Sequence, residues 1–522
     1  MATVHEEIER KYDGAVDRPL TAAELSHVAR LRAGGTEKLD AVYYDTPDLH
    51  LLRRGITLRR RTGGHDAGWH LKTPGPDGSR TETRLPLGSG DGRNGDARLL
   101  PAELVALTRA DARGEQMAPV AHLRTRRDLT LLVDGKGRTL AELARDTVSA
   151  ELLGASARSD GRPAGRSATT WVETEVELAA GDRALLDEID ARLLQRGLHH
   201  SAAGSKLGRA LAGRLAAAPA RAVPGPAEPS GGGDAPPGSV GAALTACLRA
   251  QVAALHELDP AVRMDEPDSV HRMRVTVRRL RSALAAHRRI LDRAPADHLD
   301  RELRRLGRAL GGARDAEVLA RRLGEQAAEL PPAAHPAAVG AAIRARFEVR
   351  YREAHRAVLR VMDGRRYYAL LDELERFATR PPLNGRAGRG RSEARRMLRK
   401  QRRRTARRLR TALALPPGPR RDRELHRARK AAKRARYAAE SVSPLVGGPA
   451  GRTVDRMKRI QKPLGAHQDG VMGERALADL AAATPPQDGA AVFGLGVLYA
   501  RQRRDAPRRV EQAAEAAERL EH

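Results

Sequence analysis

Residues 171–178 read Trp-Val-Glu-Thr-Glu-Val-Glu-Leu, and an N-terminal segment reads Glu7-Ile8-Glu9-Arg10-Lys11. Because successive side chains of a β-strand point to opposite faces of a sheet, each segment predicts a strand with its charges on one face. The first strand would carry Glu7, Glu9 and Lys11 together, and the last would carry Glu173, Glu175 and Glu177. Carboxylates therefore gather on the first and last strands of the N-terminal region.

Basic side chains dominate the strands predicted between these two. Arg59 and Arg61 share one face, as do His70 and Lys72, and a further face carries Arg80, Glu82 and Arg84. A charged face on one strand usually just faces water. Charges sorted by sign across five strands instead favour a closed tunnel with a charged interior. The carboxylates could hold a hard divalent cation there, and the arginines and lysines could bind phosphate oxygens.

Composition divides the chain into three parts. Short strand-like runs extend to about residue 215, and helical spacing of apolar residues predicts helices at 21–33, 100–110 and 182–196. Residues 216–238 are rich in Pro, Gly and Ser and predict a flexible linker. From residue 239 to 522, Ala/Leu/Arg segments with a helical period predict an all-helical domain. The chain as a whole is therefore expected to be of the α+β class.

The N-terminal motifs, in their order and spacing, resemble the CYTH family of triphosphate tunnel metalloenzymes. The resemblance extends to about residue 210 and rests on Glu7-x-Glu9-x-Lys11, Tyr44-Asp45-Thr46-Pro47, Leu58-Arg59-x-Arg61, Leu71-Lys72, Asp146-Thr147-Val148, the Glu175-x-Glu177 strand and Ser205-Lys206. It implies an eight-stranded antiparallel β-tunnel. It also implies metal-dependent hydrolysis of inorganic triphosphate or a related triphosphate. ATP cyclisation, as in the class IV adenylyl cyclases, is the alternative within this fold, and the sequence shows no purine pocket to favour it.

The same resemblance implies roles for individual residues. Mg²⁺ or Mn²⁺ would be bound by Glu7, Glu9, Glu175 and Glu177. Phosphate oxygens would be bound by Lys11, Arg59, Arg61, Lys72, Arg84, Arg124, Arg126 and Lys206, with Lys11, Arg59 and Arg61 assigned to catalysis. The register of Arg124 and Arg126 is ambiguous, because a run of arginines continues to Arg127.

The helical half carries almost all of the basic excess and contains an internal repeat. The whole chain has a net charge of +29, of which residues 216–522 contribute +27, from 62 Lys and Arg against 35 Asp and Glu. His271-x-x-Arg274-x-x-x-Arg278-Arg279-x-Arg281 recurs as His426-x-x-Arg429-x-x-x-Lys433-Arg434-x-Arg436. Leu310-Gly-Gly-Ala-Arg-Asp315 recurs as Leu464-Gly-Ala-His-Gln-Asp469. Two motifs with a common offset predict a duplicated helical bundle, with repeats at about 239–380 and 392–515.

Each repeat places its histidine and basic residues on one stripe of a helix, since positions i, i+3, i+7 and i+10 share a face. This half resembles the CHAD domain, which binds inorganic polyphosphate between paired helical bundles. The resemblance implies polyphosphate contacts from His271, Arg274, Arg278, Arg281, His426, Arg429, Lys433 and Arg436, with Lys430 beside them. The arginine run at 395–410 is a further candidate.

Two rival readings belong to other functional classes. A nucleic-acid-binding protein would suit the charge, but 3 Phe, 2 Trp and 8 Tyr offer few platforms for base stacking, so nucleic acid is disfavoured as a partner. A non-catalytic protein that docks on polyphosphate granules would not need the clustered carboxylates.

The single Cys247 excludes an internal disulfide. Without a membrane-spanning run or a signal-peptide pattern, we expect no membrane partner and a cytoplasmic location, with polyphosphate granules as a candidate site.

Overall fold

The computed structural model describes residues 3–16, 18–75, 79–88, 100–153, 168–217 and 235–518. The chain forms two compact units, residues 1–222 and 223–522. The central part of the predicted linker, residues 218–234, lies outside the described residues. Each unit is described by itself below.

The N-terminal unit is built on one antiparallel sheet. Its strands are β1 (Thr3–Glu7), β2 (Glu9–Asp13), β3 (Arg30–Asp45), β4 (Thr57–Thr62), β5 (Gly68–Pro74), β6 (Arg80–Leu85), β7 (Ala118–Val133), β8 (Thr139–Leu152), β9 (Ala168–Leu178) and β10 (His199–His200), and its helices are α1 (Ala102–Thr108), α2 (Arg183–Gln195), α3 (Lys206–Ala210) and α4 (Ala212–Ala217). The strand order is β1-β6-β5-β4-β3-β7-β8-β9-β2-β10.

The N-terminal segment closes this sheet into a tunnel. β1 pairs with β6 and β2 pairs with β9, and only Ile8 separates β1 from β2 along the chain. A single segment thus joins the two ends of the strand order. The sheet has ten strands rather than the predicted eight, because this segment is divided at Ile8 and because β10 adds a strand of two residues.

The apolar core of the N-terminal unit lies outside the tunnel. Leu185, Ile189 and Leu193 of α2 pack against Tyr12 of β2 and Val176 of β9, all of them buried. Val176 points outward, so its neighbours Glu175 and Glu177 point inward by strand alternation. Packing on the outer face therefore leaves the inner face to polar side chains.

One predicted helix is absent from the N-terminal unit. Residues 21–33 form a short 3₁₀ turn at Ala22–Glu24, and β3 begins at Arg30. Arg30 to Ala33 pair with Thr130 to Val133 of β7. The long-range ladder outweighs the weak local preference of this Ala-containing segment for helix.

The C-terminal unit is all-helical in its described residues, as predicted. It comprises α5 (Val240–Arg263), α6 (Ser269–Ala286), α7 (Arg293–Ala328), α8 (Pro336–Met362), α9 (Arg365–Thr379), α10 (Arg391–Leu413), α11 (Pro419–Ser441), α12 (Ser443–Val446), α13 (Gly448–Ala483) and α14 (Gly489–Glu518). The basic stripes lie on α6 and α11. Each repeat continues into a helix of 36 residues, α7 in the first and α13 in the second. Among the described helices, none is long and apolar enough to cross a lipid bilayer.

A buried cluster joins the two helical repeats to each other. Leu319 and Leu323 of α7 and Phe347 of α8 join Leu477 of α13 and Leu495 of α14 in a single buried cluster. A second cluster joins α10, α11 and α13. Because the repeats are interlocked in this way, the helices that carry the two basic stripes have a fixed relation to each other.

Candidate functional site

A cavity in the tunnel brings most of the predicted N-terminal site residues together. Charged residues on its wall are Glu7, Glu9, Lys11, Arg59, Arg61, Asp66, Lys72, Arg80, Glu82, Arg84, Arg127, Glu175, Glu177 and Lys206. They come from β1, β2, β4, β5, β6, β7, β9 and α3, with Asp66 from the β4–β5 turn. The roles predicted for these residues as metal and phosphate ligands stay predictions.

One end of the acidic wall is a buried cluster of Asp146, Glu173 and Glu175, whose carboxylate oxygens lie within 4.8 Å of one another. Lys206 at the start of α3 reaches into this cluster. Its Nζ lies 2.9 Å from Asp146, 2.8 Å from Glu173 and 2.5 Å from Glu175. Such a cluster of buried carboxylates requires cations to neutralise it.

The N-terminal segment supplies the other acidic residues. Lys72 Nζ lies 2.5 Å from Glu7, and Lys11 Nζ lies 2.9 Å from Glu9 and pairs with Glu175. Burial opposes ionisation of Glu9, but Lys11 and Lys72 outweigh it and lower the pKa of this carboxyl group to about 2. Glu9 is therefore ionised across the physiological range.

Glu177 is the exception among the acidic residues, because no cation forms an ion pair with it within the described part of the chain. Burial, with the negative charges of Glu7, Glu9 and Glu175, raises the pKa of Glu177 to about 7. Several carboxylates converge on one space here, and one of them has no cation partner. Oxygen donors of this kind are those that Mg²⁺ and Mn²⁺ prefer. The acidic cluster whose oxygens lie close enough together to hold an ion is Asp146, Glu173 and Glu175, of which only Glu175 is among the predicted metal ligands.

The basic wall faces this acidic edge across the cavity. Arg59 Nη1 donates a hydrogen bond to Tyr43 Oη at 3.2 Å, and Arg61 pairs with Asp66. The Nε atoms of Arg59 and Arg61 are buried without a hydrogen-bond partner in the described structure. Burial and the neighbouring charges of Arg59 and Arg127 lower the pKa of Arg61 to about 9. Buried guanidinium donors that lack acceptors define a place for an anion.

The structure corrects the register of β7. Arg124 and Arg126 lie on its outer face, each with a side chain 66% exposed. Leu123, Thr125 and Arg127 are the β7 residues that line the cavity. Arg127 Nη2 lies 2.6 Å from Asp146 and 2.5 Å from Glu175, and Arg127 is directly opposite Asp146 in the β7–β8 ladder. Arg127 could have been identified from the sequence by asking which arginine of the run points into the tunnel, where it can pair with an acidic residue of the neighbouring strand.

In the C-terminal unit, α6 and α11 pack side by side and bring the two basic stripes together. Arg278 Nε on α6 donates a hydrogen bond to Tyr437 Oη on α11 at 3.1 Å. The guanidinium carbons of Arg278, Arg279 and Arg436 lie 5.6, 5.9 and 4.5 Å from the centre of the Tyr437 ring. Tyr437, which is buried, therefore holds arginines from both helices around one aromatic face.

Cations outnumber their carboxylate partners where the stripes meet. Arg274 Nη1 lies 3.1 Å from Asp315 of α7, and Arg281 Nε lies 2.8 Å from Asp300. No ion pair neutralises Arg278, Arg429 or Lys433 within the described residues. Burial, with Arg429, Arg278 and Arg274, lowers the pKa of Lys433 to about 6, although Asp469 opposes the shift. Within the described residues, carboxylates therefore do not balance the positive charge where the two stripes meet.

The remaining predicted residues lie beside this groove. Burial and nearby cations, among them Arg314 and Arg278, lower the pKa of His271, and burial with Lys430, Arg429 and Lys433 lowers the pKa of His426. The side chain of Lys430 is exposed on α11. The aspartates of the second repeated motif interact with arginines of the first motif. Asp315 of α7 forms an ion pair with Arg274, and Asp469 of α13 lies close enough to Arg429 for their charges to interact. All the residues predicted from the helical repeats thus lie along α6 and α11.

A charged antiparallel tunnel followed by a duplicated basic helical domain is the architecture of proteins that combine a CYTH domain with a CHAD domain. The chain belongs to this family: the CYTH domain model matches residues 5–208, and the CHAD domain model matches residues 246–478. CYTH domains are metal-dependent, and the two domain types are associated with triphosphate and polyphosphate in general.

Two relatives from Mycobacterium tuberculosis, the proteins named Uncharacterized protein MT2285 and Uncharacterized protein Rv2226, are each 35% identical to this chain, over 98% of it and 96% of their own length. Among solved structures, PptA from Streptomyces chartreusis is 22% identical and covers 53% of this chain and 98% of its own, with a TM-score of 0.45. The CHAD domain from the plant Ricinus communis is 25% identical and covers 57% of this chain and 97% of its own, with a TM-score of 0.43.

Proposed function

We propose that the N-terminal domain hydrolyses inorganic triphosphate or a closely related triphosphate with the help of Mg²⁺ or Mn²⁺, and that the C-terminal domain binds inorganic polyphosphate. The observation that carries the first half is the sorting of charge inside the tunnel. Carboxylates able to hold a hard cation lie in the same cavity as Arg59 and Arg61, whose buried Nε atoms lack hydrogen-bond acceptors. A linear polyanion would accept hydrogen bonds from the guanidinium groups, and the carboxylates would bind its counter-cation.

The residues of the tunnel act chiefly by binding and alignment. Arg59, Arg61 and Arg127 neutralise phosphate oxygens, and Lys72 holds a further charge close to Glu7. Glu7, Glu9, Glu175 and Glu177 would hold the cation. When bound, the cation supplies charge neutralisation and lowers the pKa of a water molecule. Because the arginines are already fixed by burial, little reorganisation is needed when charge develops on the phosphoryl group.

A phosphate-release assay over a panel of substrates tests this proposal directly. Inorganic triphosphate, long-chain polyphosphate, thiamine triphosphate and ATP are compared with and without Mg²⁺ or Mn²⁺. We expect release from triphosphate that requires the cation. Formation of cyclic AMP from ATP without phosphate release from triphosphate would instead support the cyclase alternative.

The corrected register of β7 makes a sharp prediction. Arg127→Ala should lower triphosphate hydrolysis by roughly 100-fold or more, because it removes a buried cation from the cavity wall. The double variant Arg124→Ala/Arg126→Ala should stay within about threefold of wild type, because exposed side chains outside the tunnel contribute little. Steady-state rates, with thermal unfolding to check the fold of each variant, measure the difference. A large loss in the double variant with little loss from Arg127→Ala would show that β7 has the other register.

The N-terminal unit should act alone. Residues 1–222 form a compact unit with its own apolar clusters, and the described residues that line the cavity all belong to this unit. A fragment of residues 1–222 should therefore hydrolyse triphosphate at a rate within about threefold of the full chain, and residues 223–522 should have no activity. An inactive N-terminal fragment that is folded by circular dichroism would contradict this division of labour.

Support for the polyphosphate half comes from the uncompensated cations of α6 and α11. Charges brought together without partners destabilise a fold unless a ligand neutralises them. Tyr437, the aromatic residue between the stripes, is only 3% exposed and is covered by arginines, so it offers no face on which a nucleobase could stack. A thin polyanion without bases suits such a groove better than a nucleic acid does.

A further inference from the structure

The basic groove does not end with the two repeated stripes. Lys430 and Arg434 lie one helical turn apart on α11, and Arg404 and Arg408 lie one turn apart on the neighbouring helix α10. None of the four forms an ion pair within the described part of the chain. Lys430, Arg404 and Arg408 lie outside the motif that the two repeats share, and Arg434 matches Arg279 within it but lies off the stripe of positions i, i+3, i+7 and i+10.

Packing places these four cations along one seam. Leu409 and Ala412 of α10 lie in the same buried cluster as Ala428, Ala432 and Ala435 of α11. Arg404 and Arg408 each precede a buried residue of α10, Thr405 and Leu409. On α11, Lys430 and Arg434 each precede a buried alanine, Ala431 and Ala435. The two pairs therefore stand at the edges of helix faces that pack against each other.

Arg281 connects this seam to the groove, because it is the last cation of the α6 stripe and it faces both Lys430 and Arg434. Burial, together with Arg404, Arg408 and Arg281, lowers the pKa of Arg434. Asp300 of α7 is the carboxylate that opposes this shift, and it already pairs with Arg281 at 2.8 Å and with Arg304 at 2.7 Å. One shared carboxylate leaves a large excess of positive charge at the junction.

We infer that Arg404 and Arg408 of α10, with Lys430 and Arg434 of α11, extend the polyphosphate-binding groove past Arg281, so that a long chain leaves the groove between α6 and α11 and continues along the α10–α11 seam. This inference rests on the polyphosphate binding proposed above. It makes the domain selective for long polymers. Inorganic triphosphate is too short to reach both parts, so the added cations contribute only when the polymer spans the junction.

The test compares two double charge reversals on the same helix in the full-length protein. Arg404→Glu/Arg408→Glu alters the seam. Arg403→Glu/Arg407→Glu is the control and makes the same charge change at the same spacing. Arg403 and Arg407 are exposed, and each lies one position before a seam residue, so the two side chains point in a different direction around α10. Affinity for long-chain polyphosphate is measured by titration at several salt concentrations, and thermal unfolding followed by circular dichroism shows whether the helical unit of each variant is folded.

We expect the seam variant to lose roughly tenfold or more in affinity and to lower the slope of log affinity against log salt by about two, one for each phosphate contact removed. The control should lose less than about threefold, with a slope change well below one. Equal losses and equal slopes in the two variants would overturn the inference. Failure of the proposed function is distinct, since the wild-type protein would then not bind polyphosphate at all. If a reversal disturbs the fold, the pair Arg404→Gln/Arg408→Gln and Arg403→Gln/Arg407→Gln provides the same comparison.

Discussion

Glu7→Gln is expected to reduce metal-dependent phosphate release by at least about 100-fold, whereas Glu6→Gln leaves it unchanged. The two residues are neighbours on β1 and differ in the face they occupy. Glu7 is 5% exposed and lines the cavity, while Glu6 is exposed on the outside. The substitution removes one of the carboxylate charges that would hold the cation, and it leaves Lys72 with only the more distant Glu82, at 3.8 Å, as an ion-pair partner. Phosphate release from triphosphate, titrated with Mg²⁺ and Mn²⁺, measures the effect.

The metal titration separates a binding role from a merely structural one. Loss of a cation ligand should raise the metal concentration needed for half-maximal activity, while thermal unfolding without metal changes little. Glu177→Gln should likewise raise the metal concentration needed for half-maximal activity. It should lower the stability of the fold less than Glu7→Gln does, because no ion pair is lost at that position within the described structure. Full activity of Glu7→Gln and Glu177→Gln at low metal would contradict the assignment of these carboxylates to a metal site.

Charge reversal in the centre of the helical groove is expected to have the largest effect on polymer binding. Arg274→Glu/Arg429→Glu changes one stripe residue in each repeat, at positions related by the internal duplication. We expect affinity for long-chain polyphosphate to fall by roughly 100-fold or more at near-physiological salt, since both walls of the groove lose a charge-assisted contact. Arg403→Glu/Arg407→Glu, with the same total charge, should lose less than about threefold.

The same pair of variants distinguishes polyphosphate from nucleic acid. The wild-type protein should bind polyphosphate more tightly than single-stranded DNA or RNA of equal total charge, because the groove offers forked arginine contacts but no exposed aromatic face. Equal affinity for the two polymers, or equal losses from the groove and control variants, would mean that the basic surface attracts polyanions without selection.

Much of this arrangement was predictable because strand alternation and helical periodicity are local properties. Glu7, Glu9, Glu175 and Glu177 line the cavity because side chains alternate along a strand, whatever its partners are. The repeated stripes on α6 and α11 follow from spacing in the same way. Local patterns also placed the change from strands to helices beyond the linker.

The features that the sequence did not predict depend on contacts between residues far apart in the chain. Whether Arg126 or Arg127 points inward depends on how β7 is aligned with β3 and β8, and this alignment is set by contacts with distant residues. The segment 21–33 was predicted as a helix because its ladder partners at 130–133 cannot be identified from local spacing. The closeness of Arg404 and Arg408 to Arg434 depends on how α10 packs against α11, which the repeat does not encode.

The segment that closes the sheet is synthesised before both strands with which it pairs. β2 lacks its partner until β9, which ends at Leu178, has left the ribosome, and β1 must wait for β6. Pairing across so long a stretch of chain carries a high entropic cost and is slow to nucleate. Glu7, Glu9 and Lys11 arrive in the cavity in that same closing step. The candidate site in the tunnel is therefore assembled only when the domain completes its fold.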